Sequence, residues 1–237
     1  MGPSTMKKRR LGFAGLGAMG FGMAANLLKA AFAVNGFDIS PKALSNFAAL
    51  GSEASSSVCD ASHVQQRFFV MVATPEQVNS LVFGVNGLGV SLRNSSILCL
   101  FSTLPPPYVV ELKARLEVVG RVDIRLVDCP VSGGVVGATN RTLTVMMGGD
   151  AITIAAIRPE LEAVSAPGRL FLTGTLGYAS TIKMLNQHLA GIHIVAAAEN
   201  FALAKALGLS SRDVHNVLIN KTQVYYHYLY QEPWLRE

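Results

Sequence analysis

Leu11-Gly12-Phe13-Ala14-Gly15-Leu16-Gly17-Ala18-Met19-Gly20 is the stretch from which the rest of the chain can be read. A short apolar run ends in Gly15, Gly17 and Gly20. A helical pattern follows from Met19 to about Ala30, and a second apolar run, Phe32 to Phe37, ends in Asp38. Strand, glycine turn, helix, strand and acidic residue stand in the order a dinucleotide-binding βαβ unit requires, with the acid about 20 residues downstream. Gly15 suits the tight turn off the strand. Gly17 lets backbone N–H groups approach a pyrophosphate with no Cβ in the way. Gly20 lets the helix pack close to the strand. The helix start adds unpaired N–H donors and a partial positive charge. The plain alternative is a glycine-rich turn in an ordinary α/β domain, but the surrounding pattern is complete for a nucleotide site.

The chain has 237 residues, one to two domains at about 150 residues each. Half of its residues are apolar, which points to a parallel sheet buried on both faces and to a hydrophobic helix. No uninterrupted apolar run reaches the ~18 residues of a membrane span, and no membrane association is expected. Net charge is +5, much of it in Lys7-Lys8-Arg9-Arg10. With no aromatic-rich basic groove beside it, that run reads as a solvated tail rather than a nucleic-acid patch. Cys59, Cys99 and Cys129 form no spaced set and read as buried, reduced thiols, which suits a cytoplasmic protein.

Strand and helix patterns alternate beyond Asp38. Helices are expected at Pro41–Leu50, from Thr74-Pro75-Glu76 to Phe83, at Pro105–Val119 and at Ala151–Val164. Strands are expected at Phe68–Ala73, Ser96–Phe101, Arg125–Cys129, Thr142–Met147 and Arg169–Leu172, with loops at Gly84–Gly89 and Pro130–Asn140. This is a Rossmann-type doubly wound α/β sheet, placed at residues 8–172. A boundary near Gly168–Gly177 leads into one long helix, Tyr178–Leu207. A further helix, capped by Ser210 or Ser211, runs to about Ile219. Residues 177–237 read as an all-α part.

Three further motifs fall at strand ends or on the long helix, and strand ends are where such sheets bind ligands. They are Phe101-Ser102-Thr103-Leu104-Pro105, Asp128-Cys129-Pro130-Val131-Ser132-Gly133-Gly134 and Gly177-Tyr178-Ala179-Ser180-Thr181-Ile182-Lys183-Met184-Leu185-Asn186-Gln187. Ser132, Gly133 and Gly134 offer a hydroxyl and closely approaching N–H groups, suited to a carboxylate, or else form a plain turn. Lys183 is an amine on a mostly apolar helix, with Asn186 and Gln187 on the same face. It either snorkels to solvent or works in a cleft. His188 and His193 lack carboxylate or Cys partners, so no metal site is expected.

Together these motifs resemble the β-hydroxyacid dehydrogenase family and the coenzyme domain of 6-phosphogluconate dehydrogenase. The stretch Leu189–Glu199 looks most like the L-threonate dehydrogenase branch. The resemblance implies that Gly15, Leu16, Gly17, Ala18, Met19, Gly20 and Asp38 hold NAD, in preference to NADP. Ala73 and Thr74 line it, and Thr103 sits near the nicotinamide ribose. Ser132, Gly133 and Gly134 bind a substrate carboxylate, and Asn186 and Gln187 orient the substrate. Lys183 is the catalytic acid/base of a reversible oxidation of a small hydroxy acid, in a homo-oligomer. The chain departs from the pattern in three ways. Ala31 stands where a glycine follows the first helix. Ala179 replaces a glycine at the start of the long helix. The family's later helices find no match in the tail Tyr225–Glu237, so the all-α part reads as truncated and incomplete. The rival reading is a catalytically weak or silent dinucleotide-binding protein that acts through oligomer or partner contacts.

Overall fold

The computed structural model describes residues 9–63 and 65–221, with only the backbone of residues 219–221. Lys7, Lys8 and the tail Tyr225–Glu237 lie outside the described residues. In chain order the elements are β1 (Arg10–Ala14), α1 (Gly20–Lys29), β2 (Ala33–Phe37), α2 (Pro41–Ala48), β3 (Glu53–Ala54), α3 (Val58–Ser62), β4 (Arg67–Val70), α4 (Pro75–Phe83), α5 (Leu88–Ser91), β5 (Ile97–Leu100), α6 (Pro106–Val118), β6 (Arg125–Asp128), β7 (Val131–Ser132), α7 (Gly134–Asn140), β8 (Leu143–Gly148), α8 (Ala151–Ala156), α9 (Arg158–Glu162), β9 (Ser165–Gly174), α10 (Tyr178–Ala206) and α11 (Ser211–Lys221). Two compact units result, Met1–Lys183 and Met184–Glu237, and the division falls inside α10.

In the first unit, nine strands among the described residues form one sheet in the order β3-β2-β1-β4-β5-β6-β8-β7, with β9 on β8. The strands from β3 to β6 pair in parallel, whereas β8 runs antiparallel to β6 and β7. Alternate residues of each central strand feed two cores. Phe13, Phe69, Cys99 and Val127 pack on one face; Phe68, Val70, Leu98 and Leu100 pack on the other. Burial on both faces explains the near-continuous apolar runs and confirms the doubly wound α/β class. Strand order reverses between β1 and β4, so the loops after these two strands flank the crevice in which such sheets bind ligands.

Several segments differ from their sequence reading. Pro130–Asn140 is not a loop but β7 followed by α7. The helix pattern Ala151–Val164 breaks at Ile157 into α8 and α9, because Pro159 has no N–H to continue the ladder. The last strand runs ten residues, Ser165–Gly174, and the Gly84–Gly89 loop turns into the short α5. Arg9 and Arg10 are not solvated tail: Arg9 approaches the buried Glu160 at 3.7 Å, and Arg10 pairs with Glu53 at 2.9 Å. Cys59 is half-buried, unlike the buried Cys99 and Cys129.

In the second unit, Ala197 and Phe201 of α10 are buried against Val214 of α11, and Ser210 caps α11 by accepting the Asp213 N–H at 3.4 Å. By length and composition alone, α10 is long and apolar enough to cross a membrane, which a count of uninterrupted apolar residues misses. Lys183, Asn186, Gln187 and Glu199 recur along it, and such groups are costly on a span facing lipid.

Candidate active site

The glycine loop has the predicted geometry. Gly15 has φ +93° and donates its N–H to Phe37 O at 2.9 Å; a Cβ there would collide with Met71 O. A Cβ on Gly20 would collide with Gly15 O, so α1 starts directly against the turn. At Gly17 a Cβ would meet nothing within 4 Å. That open side of the loop is where a phosphate can come close. Phe21 N–H makes a helical bond back to Gly17 O at 3.0 Å, so the amides just before Phe21 form the donor-rich start of the helix. These features fit a bound dinucleotide. Leu16 plays a part the sequence does not announce: its N–H donates to Asp38 Oδ2 at 2.6 Å. Ser40 N–H donates to Asp38 Oδ1 at 2.8 Å, so the acid is tied to the glycine loop as well as to its own turn.

Ala73 is exposed just past β4, with its N–H on Gln77 Oε1 at 2.8 Å. Thr74 Oγ1 accepts the Gln77 N–H at 3.3 Å in a reciprocal capping box, so its hydroxyl holds the start of α4. Thr103 is exposed beyond β5, while its neighbour Ser102 is buried and accepts the Val72 N–H at 2.9 Å. Ser102 therefore ties the segments that follow β4 and β5 together.

Ser132 ends β7 paired with Thr144 of β8. It is half-buried, and among the described residues its hydroxyl has no hydrogen-bond partner. Gly133 and Gly134 take φ of +132° and +61°, conformations that favour glycine, and α7 begins there. α7 packs on the nucleotide helix: Asn26 Nδ2 donates to Ala138 O at 2.7 Å, and Gly22 leaves room for the Ala138 backbone. The predicted carboxylate loop and the predicted cofactor helix thus share one packed layer.

α10 begins against the end of β6. Ser180 N–H donates to Asp128 Oδ2 and Ser180 Oγ–H to Asp128 Oδ1, both at 2.8 Å. Asp128 is fully buried, and burial raises its pKa while the Ser180 bonds oppose the rise. A Cβ on Gly148 would collide with Thr175 O at 2.8 Å and crowd the Ala179 N at 3.2 Å, so the end of β8 lies directly against the backbone at the start of α10. Lys183 follows one turn after Ser180 and is only 7% exposed. It forms no ion pair or hydrogen bond among the described residues, and burial lowers its pKa. Ser132, Gly133, Gly134 and Lys183 all belong to the first unit. Asn186 and Gln187 belong to the second, half-buried and exposed respectively.

Switch-point crevice, glycine loop and the acid just past β2 together define a Rossmann-type dinucleotide-binding domain. Residues 10–178 match the family model of the NAD binding domain of 6-phosphogluconate dehydrogenase. An L-threonate dehydrogenase of Cupriavidus necator is 33% identical over 211 residues, 89% of this chain and 69% of that protein. An NAD-dependent L-serine dehydrogenase of Pseudomonas aeruginosa is 31% identical across 89% of this chain and 69% of its own length. The crystal structure of a 3-hydroxyisobutyrate dehydrogenase from Salmonella typhimurium superposes with TM-score 0.85 at 30% identity, over 93% of this chain and 76% of that one. The chain belongs to the β-hydroxyacid dehydrogenase family, and its cofactor is NAD.

Proposed function

We propose that this protein catalyses the reversible NAD-dependent oxidation of the CH–OH group of a small hydroxy acid, of the L-threonate, 3-hydroxyisobutyrate or tartronate-semialdehyde type, with Lys183 as acid/base. One observation carries the reading: an amine buried without a carboxylate partner among the described residues, one turn into a helix that starts at the carboxyl end of the sheet. Gly15 to Gly20, Asp38, Ala73, Thr74 and Thr103 would hold the cofactor. Bound NAD supplies the hydride acceptor. Ser132 Oγ and the Gly133 and Gly134 amides hold the substrate carboxylate, which fixes the carbinol carbon. Neutral Lys183 takes the hydroxyl proton in oxidation and returns it to the carbonyl oxygen in reduction. Asn186 and Gln187 orient the substrate. The second unit serves substrate binding and dimerisation, and the protein works as a homo-oligomer.

Turnover of L-threonate, L-serine and 3-hydroxyisobutyrate with NAD, followed as NADH formation in wild type and Lys183→Ala, tests this reading. Activity on one of them that needs Lys183 supports it. Activity that survives Lys183→Ala overturns it. The exposed apolar side chains Leu185, Leu189, Ile192 and Val195 favour a second reading, a dinucleotide-binding protein acting through contacts with other subunits. NADH binding without turnover of any of the three acids would decide for it.

A further inference from the structure

The geometry points to Asp128 as a positioning residue that sets where Lys183 stands, by fastening the first turn of α10 to the end of β6. The inference rests on Lys183 being the acid/base. Asp128 is fully buried; one oxygen accepts the Ser180 N–H and the other the Ser180 hydroxyl, at 2.8 Å each, and the Gly177 N–H bears on the same carboxyl. Among the described residues no Lys or Arg pairs with it. A buried carboxyl held by neutral donors alone, backbone amides and one hydroxyl at the start of α10, is costly, and a plain cap on a helix needs no acid from a distant strand. Its location explains what it does. Ser180 and Lys183 are three residues apart, so they lie on one face of the helix, one turn from each other. The compact unit that contains the sheet takes in α10 only as far as Lys183. Two smaller contacts support the anchor. Thr181 Oγ–H donates to Gly177 O at 2.9 Å, and Gly148 leaves room for the backbone at the start of α10. Fixing one residue of the first turn therefore fixes the amine one turn on, and a displacement near 1 Å is enough to cost a large factor in rate.

Asp128→Asn and Ser180→Ala test this. Asp128→Asn keeps size and one acceptor. Ser180→Ala removes the hydroxyl bond but leaves the amide one. In both, kcat for the best of L-threonate, L-serine and 3-hydroxyisobutyrate should fall by about tenfold or more, with KM for that acid and Kd for NADH within about twofold of wild type. Amide hydrogen exchange read on the same proteins, without substrate, should accelerate at residues 180–183 and stay unchanged at residues 15–20. Unchanged exchange at 180–183 overturns the proposal. So does faster exchange with unaltered kcat, and so does weakened NADH binding, which would mark a general structural role. Lys183→Ala measured alongside separates the two readings: if it retains wild-type turnover the acid/base assignment has failed, whereas if it is inactive while both anchor variants keep full kcat, only the anchor has.

Discussion

Lys183 can act as a base only while neutral, and burial favours that form by lowering its pKa. In the oxidation direction kcat/KM should therefore rise with pH along a limb that lies below the ordinary lysine range, and in the reduction direction it should fall over the same window. The same sign applies to stability: the unfolded amine holds its proton to higher pH than the folded one, so unfolding becomes harder as pH climbs between the two values. Lys183→Ala should lower kcat by ~10²-fold or more and abolish this limb, while NADH still binds. Loss of turnover with the limb retained would assign the limb to another group. Ser132→Ala should act on KM instead, weakening substrate by about 1–3 kcal/mol for one lost bond to a charged group. On the proposed reading Asp38 should set the choice of cofactor. Its oxygens already accept from Leu16 and Ser40, and a ribose 2′-hydroxyl can share them, but a 2′-phosphate meets negative charge with no cation at Ile39 or Ser40. NADH should bind more tightly than NADPH; equal or reversed dissociation constants would contradict this. The glycine loop and Asp38 stand out from residue type and spacing alone, whereas the same reading leaves Lys183 between solvent and a cleft, and only its burial in the folded chain separates the two. Asp128 carries no local sign of its role, because its partner Ser180 lies 52 residues away, a contact no local pattern encodes.

Ala31 shows how an element ends against its own preference. Phe32 N–H bonds Leu27 O at 3.1 Å and Ala31 N–H bonds Leu28 O at 3.0 Å, the paired bonds that close a helix with its next residue left-handed. Ala31 takes that conformation with φ +66°, at the position where the family pattern has glycine. The Cβ penalty there is about 1–2 kcal/mol, partly offset by the greater freedom of glycine in the unfolded chain. Ala31→Gly should therefore raise stability by about 0.5–1 kcal/mol, seen as a higher urea midpoint with an unchanged slope. A lower midpoint would mean that the Ala31 methyl packs more than it strains. The same element scale explains which helices could be read from the sequence. α2 and α4 carry Ser40-Pro41 and Thr74-Pro75, local start signals that hold in any context. α7 carries two glycines in seven residues, with a third at its N-cap, and forms because Asn26 and Gly22 of α1 seat it, so its signal lies in another helix. The break between α8 and α9 was legible at Pro159, but the apolar rhythm on either side of it hides the interruption.

At the scale of the whole molecule, the two units face different problems. The first buries both faces of its sheet and needs nothing more for its core. The second exposes apolar side chains along α10: Leu185 and Val195 are 58% and 59% exposed, with Leu189 and Ile192 between them. Residues 185, 189 and 192 recur at helical spacing, so they form a stripe rather than scattered contacts. Exposed apolar surface beyond a few hundred Å² is uncommon on a monomer and marks a surface made for association. The 25.2 kDa chain should therefore sediment as a dimer or larger species whose proportion rises with protein concentration. Leu189→Glu and Ile192→Glu place charges in the stripe, so each should shift the distribution towards monomer while leaving NADH affinity intact, since the nucleotide loop belongs to the other unit. If catalysis needs the assembled form, both variants lose turnover in proportion to the monomer they release. A wild-type protein that stays monomeric at every concentration and still oxidises a hydroxy acid would show that the stripe is not an interface and that one chain completes the site.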